Sequence, residues 1–127
     1  MWDVDLSVFL AWDRRGEFPE LPGLYVIAKE QSDNFVYVGL TMQLNGLKGR
    51  LRQFHRSATT GQPGHAGGVT YHKRFGPDVT KLLVAVHLPF AINDSPQIMG
   101  SYVNFAERFL IWKHVAKHGQ MPACNTG

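Results

Sequence analysis

Cysteine is almost absent from this sequence of 127 residues: Cys124 is its single thiol, so the chain forms no internal disulfide. Such scarcity is typical of proteins in a reducing compartment, and we therefore expect a cytoplasmic location. Long apolar runs are also missing, since the longest near the start, residues 8–12, has about a quarter of the roughly 20 residues that cross a bilayer. The start has neither a basic leader nor a small-residue cleavage site, so we expect no membrane span and no secretory signal.

Acidic residues are absent from residues 34–77. Residues 1–33, in contrast, have seven acidic and three basic residues and so a net charge of −4, within a chain whose net charge is +3. The acid-free stretch carries the cations Lys48, Arg50, Arg52, Arg56, Lys73 and Arg74. Such a stretch concentrates positive potential where phosphate groups bind, which favours a nucleic acid as partner over a merely solvated basic face.

The motifs of several common enzyme classes are missing. The chain has no G-x-x-x-x-G-K-[ST] and no G-x-G-x-x-G, so a nucleotide-phosphate cradle is not predicted. It has no G-x-S-x-G, and its cysteine and histidines do not have the paired short spacing of a structural zinc site. Ordinary hydrolase and nucleotide-binding functions are therefore disfavoured.

Hydrophobic periodicity predicts three strands and two helices. Runs of β-branched and aromatic residues at 24–28 and 35–38 predict an antiparallel hairpin. The apolar run at 81–88 predicts a third strand. Apolar residues at helical spacing predict helices over 46–57 and 99–118.

The remaining segments have weaker signals. Residues 6–12 are expected to form a short apolar-faced helix, and the glycine-rich residues 59–68 a loop. The polar residues 69–75 fit no single element. The order β-β-α-β-α is typical of an α+β fold, here a small three-stranded antiparallel sheet flanked by helices.

The length and composition favour one domain over residues 1–127. We expect an acidic N-terminal arm over residues 1–21 and a core over residues 22–125. Within that core, residues 59–77 are expected to form a basic, glycine-rich loop insertion.

Two tyrosines hold corresponding places in the predicted hairpin. Gly-Leu-Tyr at residues 23–25 opens its first strand, and Tyr-Val-Gly at residues 37–39 closes its second. Because side chains alternate along a strand, Tyr25 and Tyr37 share a face only if the connecting loop has an odd number of residues, as residues 31–33 would provide. Tyrosine is common in strands for packing alone, so the pair by itself is compatible with an ordinary core.

The order of short motifs over residues 22–125 resembles the GIY-YIG nuclease superfamily. The two tripeptides are followed by a helix that bears arginine, a late helix that bears glutamate, and Pro-x-x-Asn at residues 122–125. The resemblance implies an endonuclease that uses Mg²⁺ (or Mn²⁺) to hydrolyse phosphodiester bonds in DNA. It is closer to compact restriction-type or mobile-element nucleases than to multidomain repair enzymes.

The resemblance also implies site residues. The catalytic set is Tyr25, Tyr37, Arg50, His55, Glu107 and Asn125, with Glu107 as the metal ligand and Arg52 as the alternative to Arg50. The family often has a His or Tyr one turn after the arginine, where this chain has Phe54. The role then passes to His55 by a shift of one residue, or to Tyr71 or His72. The family's lysine directly after the second tripeptide is Leu40 here.

These residue types suit phosphodiester hydrolysis. The guanidinium of Arg50 is always charged and can donate two parallel hydrogen bonds to a phosphate group. The carboxylate of Glu107, together with water molecules, can bind Mg²⁺. A tyrosine hydroxyl, with a free pKa of about 10, becomes a base only where nearby cations lower that value. Contacts to the nucleic acid are expected from Lys48, Arg52, Arg56, His72, Lys73 and Arg74.

Two further functions stay open at this point. Because Leu40 and Phe54 depart from the family pattern, the chain could be a nucleic-acid-binding module of the same fold without catalysis. It could also be a structural domain in which the tyrosines only pack. For an enzyme with one site per chain, cutting both strands requires a dimer or sequential nicking, which makes a homodimer an expected partner state.

Overall fold

A four-stranded antiparallel sheet organises the chain in this computed structural model, which describes residues 4–29, 34–89 and 95–125. The protein is a mixed α+β fold, as expected, but the sheet has four strands and not three. In chain order the elements are β1 (Leu10–Ala11), a 3-10 helix (Trp12–Glu17), β2 (Gly23–Lys29), β3 (Phe35–Thr41), α1 (Gly46–Thr60), α2 (Ala66–Phe75), β4 (Leu82–His87) and α3 (Pro96–His118). The strands lie in the sheet in the order β1-β4-β2-β3.

The three strands and two helices predicted from periodicity are confirmed, with ends that move by up to three residues. The largest change at the start of a helix is in α3, which begins at Pro96. The Ser95 hydroxyl accepts a hydrogen bond from the Ile98 amide there, and proline fits the first helical turn because it needs no donor. None of the helices in the described ranges is long and apolar enough to cross a membrane.

The helix expected over residues 6–12 is wrong. Leu10 and Ala11 form the short strand β1, and helical backbone begins only at Trp12. Ser7 extends the attachment to β4, since its amide donates to the Val86 carbonyl at 2.8 Å and its hydroxyl accepts from the Val86 amide at 2.9 Å. Pairing with β4 outweighs the weak helical pattern. The N-terminal arm is therefore part of the folded core.

The loop expected over residues 59–68 is wrong at both ends, because α1 continues to Thr60 and α2 begins at Ala66. The loop insertion expected over residues 59–77 is therefore mostly helical. The glycines of this segment serve helix packing. A Cβ on Gly68 would lie 2.8 Å from the Phe54 carbonyl oxygen and from the Ser57 side chain, so only glycine lets α2 approach α1 this closely. Glycine lowers helix propensity, and this tertiary contact is absent from the local sequence pattern.

The sheet separates two clusters of buried side chains, as alternation along a strand requires. Tyr25 and Ile27 face α1 and α2, whereas Leu24 and Val26 face α3. β2 lies between β3 and β4 and is buried on both faces. A side chain on the α1/α2 face of β2 is consequently inaccessible except across the edge strand β3.

The C-terminal segment closes the outer edge of β3. The Asn125 side chain brackets Val38: its Oδ1 accepts from the Val38 amide at 2.8 Å, and its Nδ2 donates to the Val38 carbonyl at 2.9 Å. The Cys124 amide donates to the Val36 carbonyl at 2.7 Å. A carboxamide has both a donor and an acceptor, so Asn125 replaces the neighbouring strand that β3 lacks.

Replacing Asn125 with aspartate tests this bracket. The carboxylate keeps an acceptor for the Val38 amide but places a second oxygen against the Val38 carbonyl. We expect the free energy of unfolding to fall by about 2 kcal/mol, measured by urea denaturation. The matched control is Asn104→Asp on the exposed face of α3, whose amide donates to the Gly100 carbonyl and whose loss should cost less than about 1 kcal/mol. Equal losses in the two variants would contradict the bracket.

Candidate active site

Tyr25 and Tyr37 lie together on the face of the sheet that α1 and α2 cover. Tyr25 pairs with Gly39 and Ile27 pairs with Tyr37, so the two phenols are diagonal neighbours on one face. Their ring centroids are 6.0 Å apart. The turn expected at residues 31–33 lies outside the described residues.

A bulge in β3 sets the parity that puts both phenols on this face. Ile27 pairs with Tyr37 but Ala28 pairs with Phe35, so Val36 is an extra residue in β3. The Lys29 amide then donates to the Asn34 carbonyl at 3.1 Å. Four residues separate Lys29 from Asn34 in the sequence, an even number. The extra residue Val36 therefore places both tyrosines on one face, which the turn was expected to do by having an odd number of residues.

Two glycines form close backbone walls around the phenols. A Cβ on Gly39 would lie 2.5 Å from the Tyr25 hydroxyl oxygen and 2.6 Å from the Tyr37 ring. A Cβ on Gly67, in α2, would lie 2.5 Å from the Tyr37 ring. Only glycine fits at position 39, because any side chain there would occupy the space of the Tyr25 hydroxyl.

Arg50 acts on both phenols from α1. Burial raises the pKa of Tyr25 and of Tyr37, and the Arg50 charge lowers both. One terminal nitrogen of Arg50 donates to Gln53 Oε1 at 2.6 Å and to the Gly64 carbonyl at 3.2 Å. Arg52 instead lines a shallow cleft with Asp13 and Gly16 of the N-terminal segment. Of the two arginines, Arg50 is the one whose charge reaches the tyrosines.

Glu107 lies on α3, which packs on the opposite face of the sheet from the phenols, and the cavity that it lines includes neither Tyr25 nor Tyr37. Its charge raises the pKa of both phenols, and burial raises the pKa of Glu107 itself while Arg108 lowers it. No hydrogen bond or ion pair joins Glu107 to the residues that the structure describes. It lines a cavity of about 430 Å³ together with Asn125 and Trp112. The carboxylate is therefore available for a ligand.

A metal ion at this place would depend on Glu107. In the described ranges, His, Cys, Asp and Glu side chains form no cluster of three or more that could hold a metal ion. Mg²⁺ needs few protein ligands, because it keeps several of its water molecules and takes oxygens from substrate phosphates. A half-buried carboxylate that opens into a cavity fits that manner of binding.

His65 belongs to the cluster, although no pattern in the sequence marks it as a site residue. Its Nε2 lies 2.6 Å from the Tyr25 hydroxyl, and its ring centroid lies 5.1 Å from those of Tyr37 and Phe54. It is 1% exposed, and burial together with the Arg50 charge lowers its pKa to about 3. Its place directly before the first turn of α2 could have revealed it, but periodicity does not predict that helix.

His55 has a different environment from the one expected of a catalytic residue. Its Nδ1 accepts a hydrogen bond from the Trp12 indole at 3.0 Å, and the two rings stack. Burial and the Arg15 charge lower the pKa of His55. Residues five apart on a helix point about 140° apart, so Arg50 and His55 project from different sides of α1. The contacts of His55 are with the N-terminal segment.

Tyr71 and His72 also have partners outside the tyrosine pair. The Tyr71 hydroxyl donates to the Asp78 carbonyl at 2.6 Å, and His72 Nδ1 lies 2.9 Å from the Ala58 carbonyl. Neither of these contacts places a base beside Tyr25 or Tyr37. The polar group that the family has one turn after the arginine is therefore supplied here by neither residue.

Two residues near the C-terminus have structural environments. Both polar atoms of the Asn125 side chain bond to the backbone of Val38, so this residue lines the Glu107 cavity without a free polar group of its carboxamide. Burial raises the pKa of the Cys124 thiol to about 11, which leaves it a poor nucleophile at neutral pH.

The cations expected to contact nucleic acid lie on several surfaces. Lys48 and Arg52 line the cleft beside the 3-10 helix. Arg56 is exposed and donates to the Pro63 carbonyl at 3.2 Å. Lys73 and Arg74 are exposed in the last turn of α2, where Arg74 donates to the Ala123 carbonyl. These positively charged residues therefore lie on α1 and α2, the two helices that cover the phenols.

Comparisons with protein-family models, with curated proteins and with solved structures found no match to this chain. The resemblance to the GIY-YIG superfamily accordingly stays a prediction.

The buried imidazole of His65 predicts how stability changes with pH. Its folded pKa of about 3 lies below the value of about 6.5 for an unfolded histidine, so between these values the unfolded chain binds the additional proton. Stability is therefore lost as the pH falls below about 6.5, by up to about 1.4 kcal/mol per pH unit. Urea denaturation between pH 7 and pH 4 measures the slope. The slope should be shallower in His65→Asn; parallel slopes would show that His65 is not held neutral.

Replacing Gly39 with alanine tests the space around the phenols. The new methyl group would displace the Tyr25 hydroxyl, and we expect the free energy of unfolding to fall by about 1–3 kcal/mol. The control is Gly100→Ala in α3, where nothing lies within 4 Å of the added Cβ. Alanine should stabilise that helix by up to about 1 kcal/mol. A Gly39→Ala protein as stable as the parent would rule out the close contact.

Proposed function

We propose that this protein is a metal-dependent endonuclease that hydrolyses phosphodiester bonds in DNA by a GIY-YIG-like mechanism at a single site. The observation that supports the proposal is the pair of phenols packed on one face of the sheet, with ring centroids 6.0 Å apart. The charges of Arg50, on α1, and of Glu107, on α3, both act on the pKa values of this pair. A pair of tyrosines that only packs in a core has no need of such charges.

Tyr37 is the phenol that meets the substrate. Tyr25 is 0% exposed, whereas Tyr37 keeps part of its surface open on the edge strand. Only Tyr37 is therefore able to take the proton of an attacking water molecule at the protein surface.

The charges around Tyr37 decide when it acts as a base. Burial raises its pKa above the ordinary value, Arg50 lowers it and Glu107 raises it. A divalent cation on Glu107 would neutralise the charge that opposes ionisation and would stabilise the negative charge of the transition state. Tyr37 first releases its own proton to solvent, and the phenolate then takes the proton of the water as the water oxygen bonds to phosphorus. The bond from phosphorus to the leaving oxygen breaks, and that oxygen takes a proton from solvent.

Arg50 is placed to hold the scissile phosphate. Its contacts to Gln53 and Gly64 use one of its terminal nitrogens, so the other donors of the guanidinium stay available. A guanidinium binds two phosphate oxygens at once and keeps its charge throughout the reaction. Gln53 and Gly64 orient it toward the phenols.

The surroundings of the site favour a nucleic acid as substrate. Exposed cations lie on α1 and α2, and acidic residues are absent from residues 34–77. Trp112 is 63% exposed at the cavity that Glu107 lines, where its ring offers a face for stacking an unpaired base. Phosphate contacts would supply most of the affinity and make it sensitive to salt.

A second candidate function is a nucleic-acid-binding module without catalysis. The observation that favours it is the burial of both phenols, which raises their pKa values and so opposes proton transfer. Phe54 and Leu40 stand where the family has polar residues. In this case Arg50 would bind phosphate and Glu107 would have no catalytic role.

Nicking of supercoiled plasmid with Mg²⁺, and with EDTA in its place, tests the proposal. We expect nicking that EDTA abolishes, and at least about a 100-fold lower rate in Glu107→Gln and in Arg50→Gln, since each removes stabilisation of the transition-state charge. The control is Glu20→Gln, the same change at an exposed residue of the N-terminal segment, which should leave the rate unchanged.

The outcomes separate the candidate functions. Salt-sensitive DNA binding without nicking would contradict the enzyme and favour the binding module. Neither binding nor nicking would leave a structural domain. Nicking that survives Glu107→Gln would contradict the metal-binding role of that carboxylate.

A further inference from the structure

Both ring nitrogens of His65 have partners, and one of them fixes where the proton lies. His65 is the N-cap of α2, and its Nδ1 accepts a hydrogen bond from the Gly68 amide at 3.2 Å. A backbone amide only donates, so Nδ1 must present its lone pair. In a neutral imidazole the proton is then on Nε2.

The direction of the second hydrogen bond follows from the first. Nε2 lies 2.6 Å from the Tyr25 hydroxyl, and because Nε2 carries the proton, it donates and the Tyr25 oxygen accepts. The hydroxyl proton of Tyr25 must therefore point away from His65. The ring of Tyr37 lies beside that of Tyr25 on the same face of the sheet, with ring centroids 6.0 Å apart.

We propose that His65 is a positioning residue that sets a one-way chain of hydrogen bonds, from the Gly68 amide through His65 to the oxygen of Tyr25, and so directs the Tyr25 hydroxyl proton away from α2. The inference rests on the proposed function only for its effect on the reaction. The start of α2 decides, through one tautomer, that the Tyr25 oxygen accepts a hydrogen bond from His65. With the opposite tautomer, Tyr25 would donate to His65 and its proton would no longer be directed into the site.

The residue type at the cap supports a role beyond capping. Ser, Thr, Asp and Asn are the preferred N-cap residues, and histidine is not among them. Their short side chains would satisfy the Gly68 amide but have no second donor that reaches the Tyr25 hydroxyl. Histidine has two nitrogens on opposite sides of a rigid ring, so it joins the helix start to the phenol. Phe54 and Tyr37 hold the ring edge-on between them.

Nitrogen NMR on the resting protein tests the tautomer without any need for activity. Long-range correlations of the imidazole in ¹⁵N-labelled protein at pH 7 distinguish a protonated from an unprotonated ring nitrogen. We expect the His65 signals, identified by their loss in His65→Asn, to show an unprotonated Nδ1 and a protonated Nε2. A protonated Nδ1 would overturn the proposal.

Two substitutions separate positioning from capping. In His65→Asn the side chain still caps α2 but does not reach Tyr25, whereas in His65→Gln the longer amide places a donor near the position of Nε2. We expect nicking at least about tenfold slower in His65→Asn, through kcat and not KM, with recovery in His65→Gln. A merely structural role would make both rates follow the unfolding free energies of the variants, which urea denaturation measures.

The failures of the two proposals are distinguishable. If the parent protein does not nick DNA, the proposed function fails while the NMR result still decides the tautomer and the direction of the hydrogen bonds. If the parent protein nicks DNA and His65→Asn nicks equally fast, the positioning role is overturned and the proposed function stands.

Discussion

The register between β2 and β3 is the constraint on which the candidate site depends. It places Tyr37 diagonally across from Tyr25 and puts Gly39 opposite Tyr25. A slip of one residue would turn the side chains of β3 to the other face and separate the phenols by the thickness of the sheet. The bulge at Val36 and the Asn125 bracket on Val38 both act on β3 beside Tyr37, so they hold the strand at the point where the site needs it.

The helices on the α1/α2 face complete the site through close packing. Phe54, one turn after Arg50, supplies an apolar wall, and the imidazole that reaches Tyr25 comes from the start of the next helix. This arrangement requires α2 to lie against α1, which Gly68 permits at the Phe54 carbonyl. Because Gly68 has no side chain, α2 packs closely against α1, and this packing brings the His65 imidazole to the Tyr25 hydroxyl.

The sequence predicted the elements whose signals are local and missed those that depend on packing. The hairpin, α1, β4 and α3 have strong periodicity, so these elements could be predicted, whereas the bulge at Val36 that sets the register of the hairpin could not. β1 is only two residues long and exists because β4 accepts it, while α2 contains two glycines whose benefit lies in contacts with Ser57 and Tyr37. His65 could not be placed without α2, and the pairing of His55 with Trp12 depends on the path of the N-terminal segment.

The electrostatics of the cluster connect its stability with its chemistry. Burial raises the pKa of both tyrosines and lowers that of His65, so these groups are neutral at pH 7 and the fold does not bury an isolated charge among them. Under the proposed function, positive charge added near Glu107 would lower the pKa of Tyr37, because the charge of Glu107 raises it. In that proposal the cluster is stable while it is empty, and the half-buried carboxylate of Glu107 is the group that would couple cation binding to proton transfer.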